Sequence, residues 1–182
     1  MAPAIAARTR CPGRLATAIR GATARHADWQ QTAELVAGQL RAQLPGPEIL
    51  TSAERVGDPD SYVCHLLHTE PDGSFSVCAL VWRPGQVTPI HDHVTWCVFG
   101  VLQGAEHEEL YAVRDGGWLE QTGSNVAADG EVSGFAPPGD IHRVRNCGDG
   151  VAISLHVYGA DITRLGSSVR RTYDLPVLGA SG

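Results

Sequence analysis

The sequence predicts a mainly β protein, an antiparallel sandwich or barrel with α-helices ahead of it. Beyond Tyr62 the chain alternates short runs of Val, Leu, Ile, Cys and aromatic residues with turns rich in Gly, Asp and Pro, as short strands of a sandwich or barrel do. Before that point, apolar residues between Arg14 and Leu44 recur at helical spacing. At 182 residues the chain is long enough for one domain with a sizeable core. Three regions are expected: a tail and helices packing on the barrel over 1–48, the β-barrel over 49–165, and a C-terminal segment over 166–182.

Residues 1 to about 12, rich in Ala with Pro3 and Pro12, read as a flexible tail. Leu15 and Ile19, then Trp29, Leu35, Val36, Leu40 and Leu44, mark a helical face, and Pro45–Pro47 ends it. Gly21 and the small residues after it are expected to divide this stretch into two helices. The strands follow. YVCHLLHT and SFSVCALVWRP flank a PDG turn, a hairpin signal. IHDHVTWCVFGVLQG, AEHEELYAV and GWLEQTG come next, with GEVSGFAPPGD and GVAISLHVYGA completing six or more strands. The remainder, DITRLGSSVRRTYDLPVLGASG, reads as a short strand or loop with a disordered end.

The formal net charge of −6, with no basic stripe, argues against nucleic-acid binding, which draws on clustered Lys and Arg. No run is long and apolar enough to span a membrane, and the N-terminus lacks a signal-peptide core. Cys11, Cys64, Cys78, Cys97 and Cys147 form no CxxC pair, so neither a disulfide framework nor a zinc knot is expected. The expectation is a cytoplasmic protein, a monomer or small homo-oligomer.

The chemistry centres on residues 84–111. His91 and His93 are one residue apart, so on a strand their side chains share a face. His142, in FAPPGDIHRVRN, is the best candidate for a third ligand. Three neutral imidazoles without a carboxylate suit Fe(II), Zn(II), Cu(II) or Ni(II) rather than Mg(II) or Ca(II). Asp92 points the other way and is expected to orient a turn or backbone amides. His107 with Glu108 and Glu109 reads as a solvated strand edge, and Trp82 and Trp96 read as core. His65 could point towards the pocket.

These residues resemble the two motifs of the cupin superfamily. Gly85, His91, His93 and Gly104 match the first, and Pro137, Gly139, His142 and Asn146 match the second. The resemblance implies a cupin fold, a double-stranded β-helix or jelly-roll barrel with N-terminal α-helices. Where most cupins carry a ligand Glu, three residues intervening after His93, this chain has Cys97. A three-His cupin of this kind is similar to the cysteine dioxygenase and 3-mercaptopropionate dioxygenase family. The late Ser-x-His-x-Tyr signature of that family is met by Ser154, His156 and Tyr158.

The resemblance implies Fe(2+) at His91, His93 and His142, with a small thiol and O2 as reactants and a sulfinic acid as product. It gives Tyr158, held by Ser154 and His156, a place beside the iron. Cys97 stands where mammalian-type enzymes form a thioether to that tyrosine, whereas many bacterial relatives have Gly there. The family's carboxylate-binding Arg, two residues after a Tyr, is missing, because Tyr62 is followed by Cys64. The 3-mercaptopropionate type uses a C-terminal Arg instead, for which Arg164, Arg170 and Arg171 are candidates. The expected substrate is 3-mercaptopropionate or L-cysteine. The alternatives are a cupin isomerase or hydrolase using another divalent metal, and a non-catalytic cupin that binds a small molecule.

Overall fold

The computed structural model describes residues 5–7 and 11–178. Two helices open the chain, α1 (Gly13–Thr23) and α2 (Trp29–Gln43). The expected division into two helices is found, and it falls after the small residues that follow Gly21 rather than at Gly21 itself. A helical Gly costs only about 1 kcal/mol relative to Ala, and the neighbouring Ile19 and Ala22 are buried. The break comes at residues 24–28 instead, where Asp28 caps α2 by accepting from the Gln31 amide at 2.8 Å. Leu15, Ile19, Val36 and Leu40 then join Val77, Val98, Leu155 and Val157 in the largest core cluster, so the helices cover one face of the strands.

The strands form two six-stranded sheets. The first contains β1 (Ile5–Ala7), β2 (Val63–Thr69), β3 (Ser76–Trp82), β5 (Cys97–Gln103), β8 (Val132–Phe135) and β10 (Ala152–Tyr158), in the order β1-β2-β3-β10-β5-β8. The second contains β4 (His91–His93), β6 (Ala105–Arg114), β7 (Trp118–Ala128), β9 (His142–Asn146), β11 (Val169–Thr172) and β12 (Val177–Leu178), in the order β11-β4-β9-β6-β7-β12. β3 and β10 are buried along their whole length, as central strands covered on both faces are. The pocket lies between the sheets and takes wall residues from both. This is the cupin architecture.

Three expectations need correction. IHDHVTWCVFGVLQG is not one strand: β4 and β5 belong to different sheets. Thr95 anchors the crossing by donating to the Gly159 carbonyl at 3.0 Å, and Val94 N–H bonds Ser168 O. Within the supposed N-terminal tail, Ile5–Ala7 pairs parallel with Cys64–Leu66; residues 1–4 and 8–10 lie outside the described residues. The C-terminal segment, expected as a short strand or loop, supplies the short strands β11 and β12 and also a helix, α3 (Ile162–Leu165), while 179–182, where the disordered end was expected, lie outside the described residues. Gly104, between β5 and β6, adopts φ +81° and its missing Cβ would lie 3.0 Å from Ala152 Cα, so only Gly suits that turn. No described helix is long and apolar enough to cross a membrane.

Candidate metal centre

β4 carries His91 and His93, and antiparallel pairing sets His91 directly against His142 of β9. The three side chains are buried, and their ligand atoms lie within 4.8 Å of one another. Each ring has its Nδ1 engaged. His91 Nδ1 bonds the Pro89 carbonyl at 2.9 Å, His93 Nδ1 bonds Asp140 at 3.1 Å, and His142 Nδ1 bonds Glu108 at 2.6 Å. With Nδ1 held, Nε2 is the nitrogen left to face a metal, and an acceptor behind the ring raises its basicity. Burial, then the nearby His142 and His93 rings, push His91 down to about 3, and burial lowers His93. Both rings therefore stay neutral and keep a lone pair for a cation.

Across the pocket, β10 presents Ser154, His156 and Tyr158 as one hydrogen-bonded row. Ser154 Oγ lies 2.9 Å from His156 Nε2, and the Tyr158 hydroxyl lies 3.4 Å from His156 Nδ1. Phe99 stacks on His156 with ring centroids 5.6 Å apart. Cys97 and Tyr158 are direct cross-strand partners, and Cys97 Sγ is 3.8 Å from His156 Nδ1. Burial pushes both the Cys97 thiol and the Tyr158 phenol well above their usual values, so each keeps its proton at neutral pH. Tyr62 stacks on Trp82 at 4.3 Å between centroids, and Cys64 stands beside them in the wall. The cavity is small, about 80 Å³.

A family model described as cysteine dioxygenase type I matches residues 53–166. The chain belongs to that family. Among solved structures it is similar to an oxalate oxidase in complex with the substrate analogue glycolate, at 22% identity and TM-score 0.46, over 57% of this chain and 53% of that one. It is also similar to TT1209 from Thermus thermophilus, at 21% identity and TM-score 0.44, over 61% and 96% of the two chains. A third is the Schizosaccharomyces pombe Cnp3 cupin domain, at 14% identity and TM-score 0.44, over 58% and 65%. The chain spans about half the length of that oxalate oxidase. At these identities the likeness is one of fold only.

Other expected residues fall elsewhere. Arg164 is 79% exposed at its side chain and pairs with Asp161 at 3.3 Å. Arg170 turns to Asp92, and Arg171 lies over the Tyr173 ring. None of the three lines the pocket, whose C-terminal wall is Gly166–Val169. Asp92 does not serve backbone amides; it accepts from Arg170 and, at 2.7 Å, from the Tyr173 hydroxyl. The row at 107–109 is no solvated edge, because β6 lies between β7 and β9 and Glu108 is the buried acceptor for His142. Trp82 is core and pocket wall at once, donating to Ser154 Oγ at 3.3 Å. His65 does not line the pocket; both its ring nitrogens are buried without a partner. Sequence reasoning missed Glu106, Glu108 and Asp140. The available signals were the alternation of Glu106 and Glu108 on one strand and the position of Asp140 two residues before His142.

Proposed function

We propose that the chain is an iron(II) thiol dioxygenase that adds both atoms of O2 to the sulfur of a small thiol carboxylate, 3-mercaptopropionate or L-cysteine, giving the sulfinic acid. One observation carries the reading: a buried set of three imidazoles with no carboxylate ligand shares one small pocket with His156 and Tyr158, which Ser154 backs through His156. The donor set fits a borderline divalent metal. His91, His93 and His142 would hold it by Nε2, and iron(II) bound there would supply the oxygen-activating chemistry.

The chain's own groups supply the rest. Three neutral ligands leave the cation's charge uncompensated, which favours an anionic thiolate in the pocket. Phe135, Leu80 and Val144 line the wall with apolar surface and exclude water, so reactants meet in an oriented encounter. Tyr158, its proton kept by burial, is the group that can hydrogen-bond a reactant and hold a proton close to it. The cross-strand pairing of Cys97 with Tyr158 supports a thioether between them. For the substrate carboxylate, Tyr62, Thr88 and Ser168 of the wall are hydroxyl donors, and Arg170, next to wall residue Val169, is the cation that would have to leave Asp92 to help. Arg164 is the more distant alternative.

The test is O2 consumption by protein loaded anaerobically with iron, run in parallel with L-cysteine, 3-mercaptopropionate, mercaptosuccinate and cysteamine, with sulfinate detected by mass spectrometry. Uptake matched to sulfinate establishes the reaction and selects the thiol. Iron retained without any uptake removes this reading for these four thiols and leaves the family's metal site with another reaction.

A further inference from the structure

Among the described residues of the pocket wall, Glu106 is the only carboxylate, and no Lys or Arg stands with it. It sits on β6 opposite Asn146 of β9 and is 2% exposed. Both of its oxygens are buried without a hydrogen-bond partner. A buried charge is costly unless it is paired and hydrogen-bonded, so a carboxylate kept here calls for a partner that the described chain does not supply. The neutral donors of this wall are committed elsewhere. Asn146 gives its amide to the carbonyls of Trp82 and Gly150 at 3.0 and 2.8 Å, and Trp82 Nε1 donates to Ser154 Oγ at 3.3 Å, which lies 2.9 Å from His156 Nε2.

Glu106 is no metal ligand either, because the group of three histidines closes without it. Alternation along β6 turns it to the same face as Glu108, which holds His142 at 2.6 Å, and two residues of strand rise, about 6.8 Å, separate the two carboxylates along the strand. The pocket therefore has a donor set for a metal and, one pleat away, an acceptor with no donor. The C-terminal arginines do not fill the gap: Arg164 pairs with Asp161 and Arg170 with Asp92. A cavity of about 80 Å³ leaves room for a ligand of a few heavy atoms. A primary ammonium brings three donors and a positive charge, and a cation beside a carboxyl favours its ionised form. A second carboxylate would instead meet Glu106 with no Lys or Arg on the wall to offset the repulsion.

We infer that Glu106 binds an ammonium group of the substrate, so that the site takes a short aminothiol, with its sulfur towards the three histidines and its nitrogen on Glu106, ahead of a thiol whose only other charged group is a carboxylate. The inference rests on the thiol dioxygenase reading for the sulfur end of the ligand. Within that reading it selects L-cysteine over 3-mercaptopropionate, and cysteamine is the simplest member of the class. The hydroxyls of Tyr62, Thr88 and Ser168 are left for the carboxylate that L-cysteine carries and cysteamine lacks.

The experiment is anaerobic calorimetry of the full chain loaded with Zn²⁺, titrated with cysteamine, L-cysteine, 2-mercaptoethanol and 3-mercaptopropionate. In wild type the two aminothiols should bind about 10-fold or more tightly than 3-mercaptopropionate, the scale of one hydrogen bond to a charged group. Glu106→Gln keeps the shape and removes the charge. It should weaken cysteamine by about 10–100-fold and leave 2-mercaptoethanol, which has a hydroxyl in place of the ammonium, nearly unchanged; comparing variant with wild type for each ligand cancels the acidity of its thiol. Zinc content should be equal in the two proteins. A wild type that prefers 3-mercaptopropionate overturns the inference whether or not the variant folds. So does a variant that loses cysteamine and 2-mercaptoethanol equally, or one that loses its zinc, which would make Glu106 part of the metal site. The readout uses no O2. Aminothiol binding without O2 uptake by the iron-loaded chain would sink the dioxygenase reading alone, whereas sulfinate formed from 3-mercaptopropionate as readily as from cysteamine would sink the Glu106 assignment alone.

Discussion

The two walls of the pocket use the same side chain in opposite ways. On the sheet that carries the ligands, His93 and His142 have their Nδ1 atoms tied to the carboxylates Asp140 and Glu108, and His91 is tied to a carbonyl. Those acceptors permit one tautomer and leave Nε2 for a cation. On the other sheet, His156 meets only hydroxyls and a thiol, which can donate or accept. A carboxylate or carbonyl behind the ring can only accept and so fixes the tautomer, whereas a hydroxyl or thiol can take either role. The difference lies in the partners, since the four rings are alike in type and burial.

The sharpest break of this contrast is His142→Ala. With one of three ligands gone, retained iron measured by mass spectrometry should fall to background; normal iron content would remove His142 from the centre. Next comes Tyr158→Phe on the opposite wall. It should keep its iron yet lose about 100-fold or more in kcat, the usual scale of a positioned acid–base group. Unaltered turnover would make the row structural. Glu108→Gln should sit between the walls in effect, weakening metal affinity by about 10–100-fold with the fold intact, as read by competition with a chelator.

The smallest effect concerns the strand that backs the ligands. Asp92 is buried, which alone would raise its pKa, but Arg170 and Tyr173 hold it below its ordinary 3.8. Such a carboxylate stabilises the fold above that pH and loses its contribution as pH falls through the lower folded value. Arg170→Ala should therefore lower stability at neutral pH, seen by urea unfolding, with the gap from wild type closing below about 3.8. If Arg170 also meets the substrate, the variant should raise KM for a carboxylated thiol far more than for cysteamine.

The grouping of the candidate ligands was legible because its signal is local. His91 and His93 announce a shared face by their spacing, and Ser154, His156 and Tyr158 do so by the same alternation. Asp92 was rightly expected on the opposite face, but its partners Arg170 and Tyr173 lie about eighty residues away in the chain, and spacing says nothing of them. The break inside IHDHVTWCVFGVLQG was hidden for a related reason. Its residues suit a strand throughout, and the crossing between sheets depends on Ser168 and Gly159, which receive Val94 and Thr95.

What the sequence determined by itself, then, was strand and helix type, the inward faces and the donor set, since each depends on residues a few positions apart. Only the tertiary structure decided which acceptor stands behind each histidine, that Glu106 is buried in the pocket wall, and that the C-terminal arginines do not line the pocket. Those facts depend on sheet order and register. A period of two tells which face a side chain takes, but the neighbour it meets there is chosen by long-range pairing, and by the cost of leaving a buried polar group unpaired.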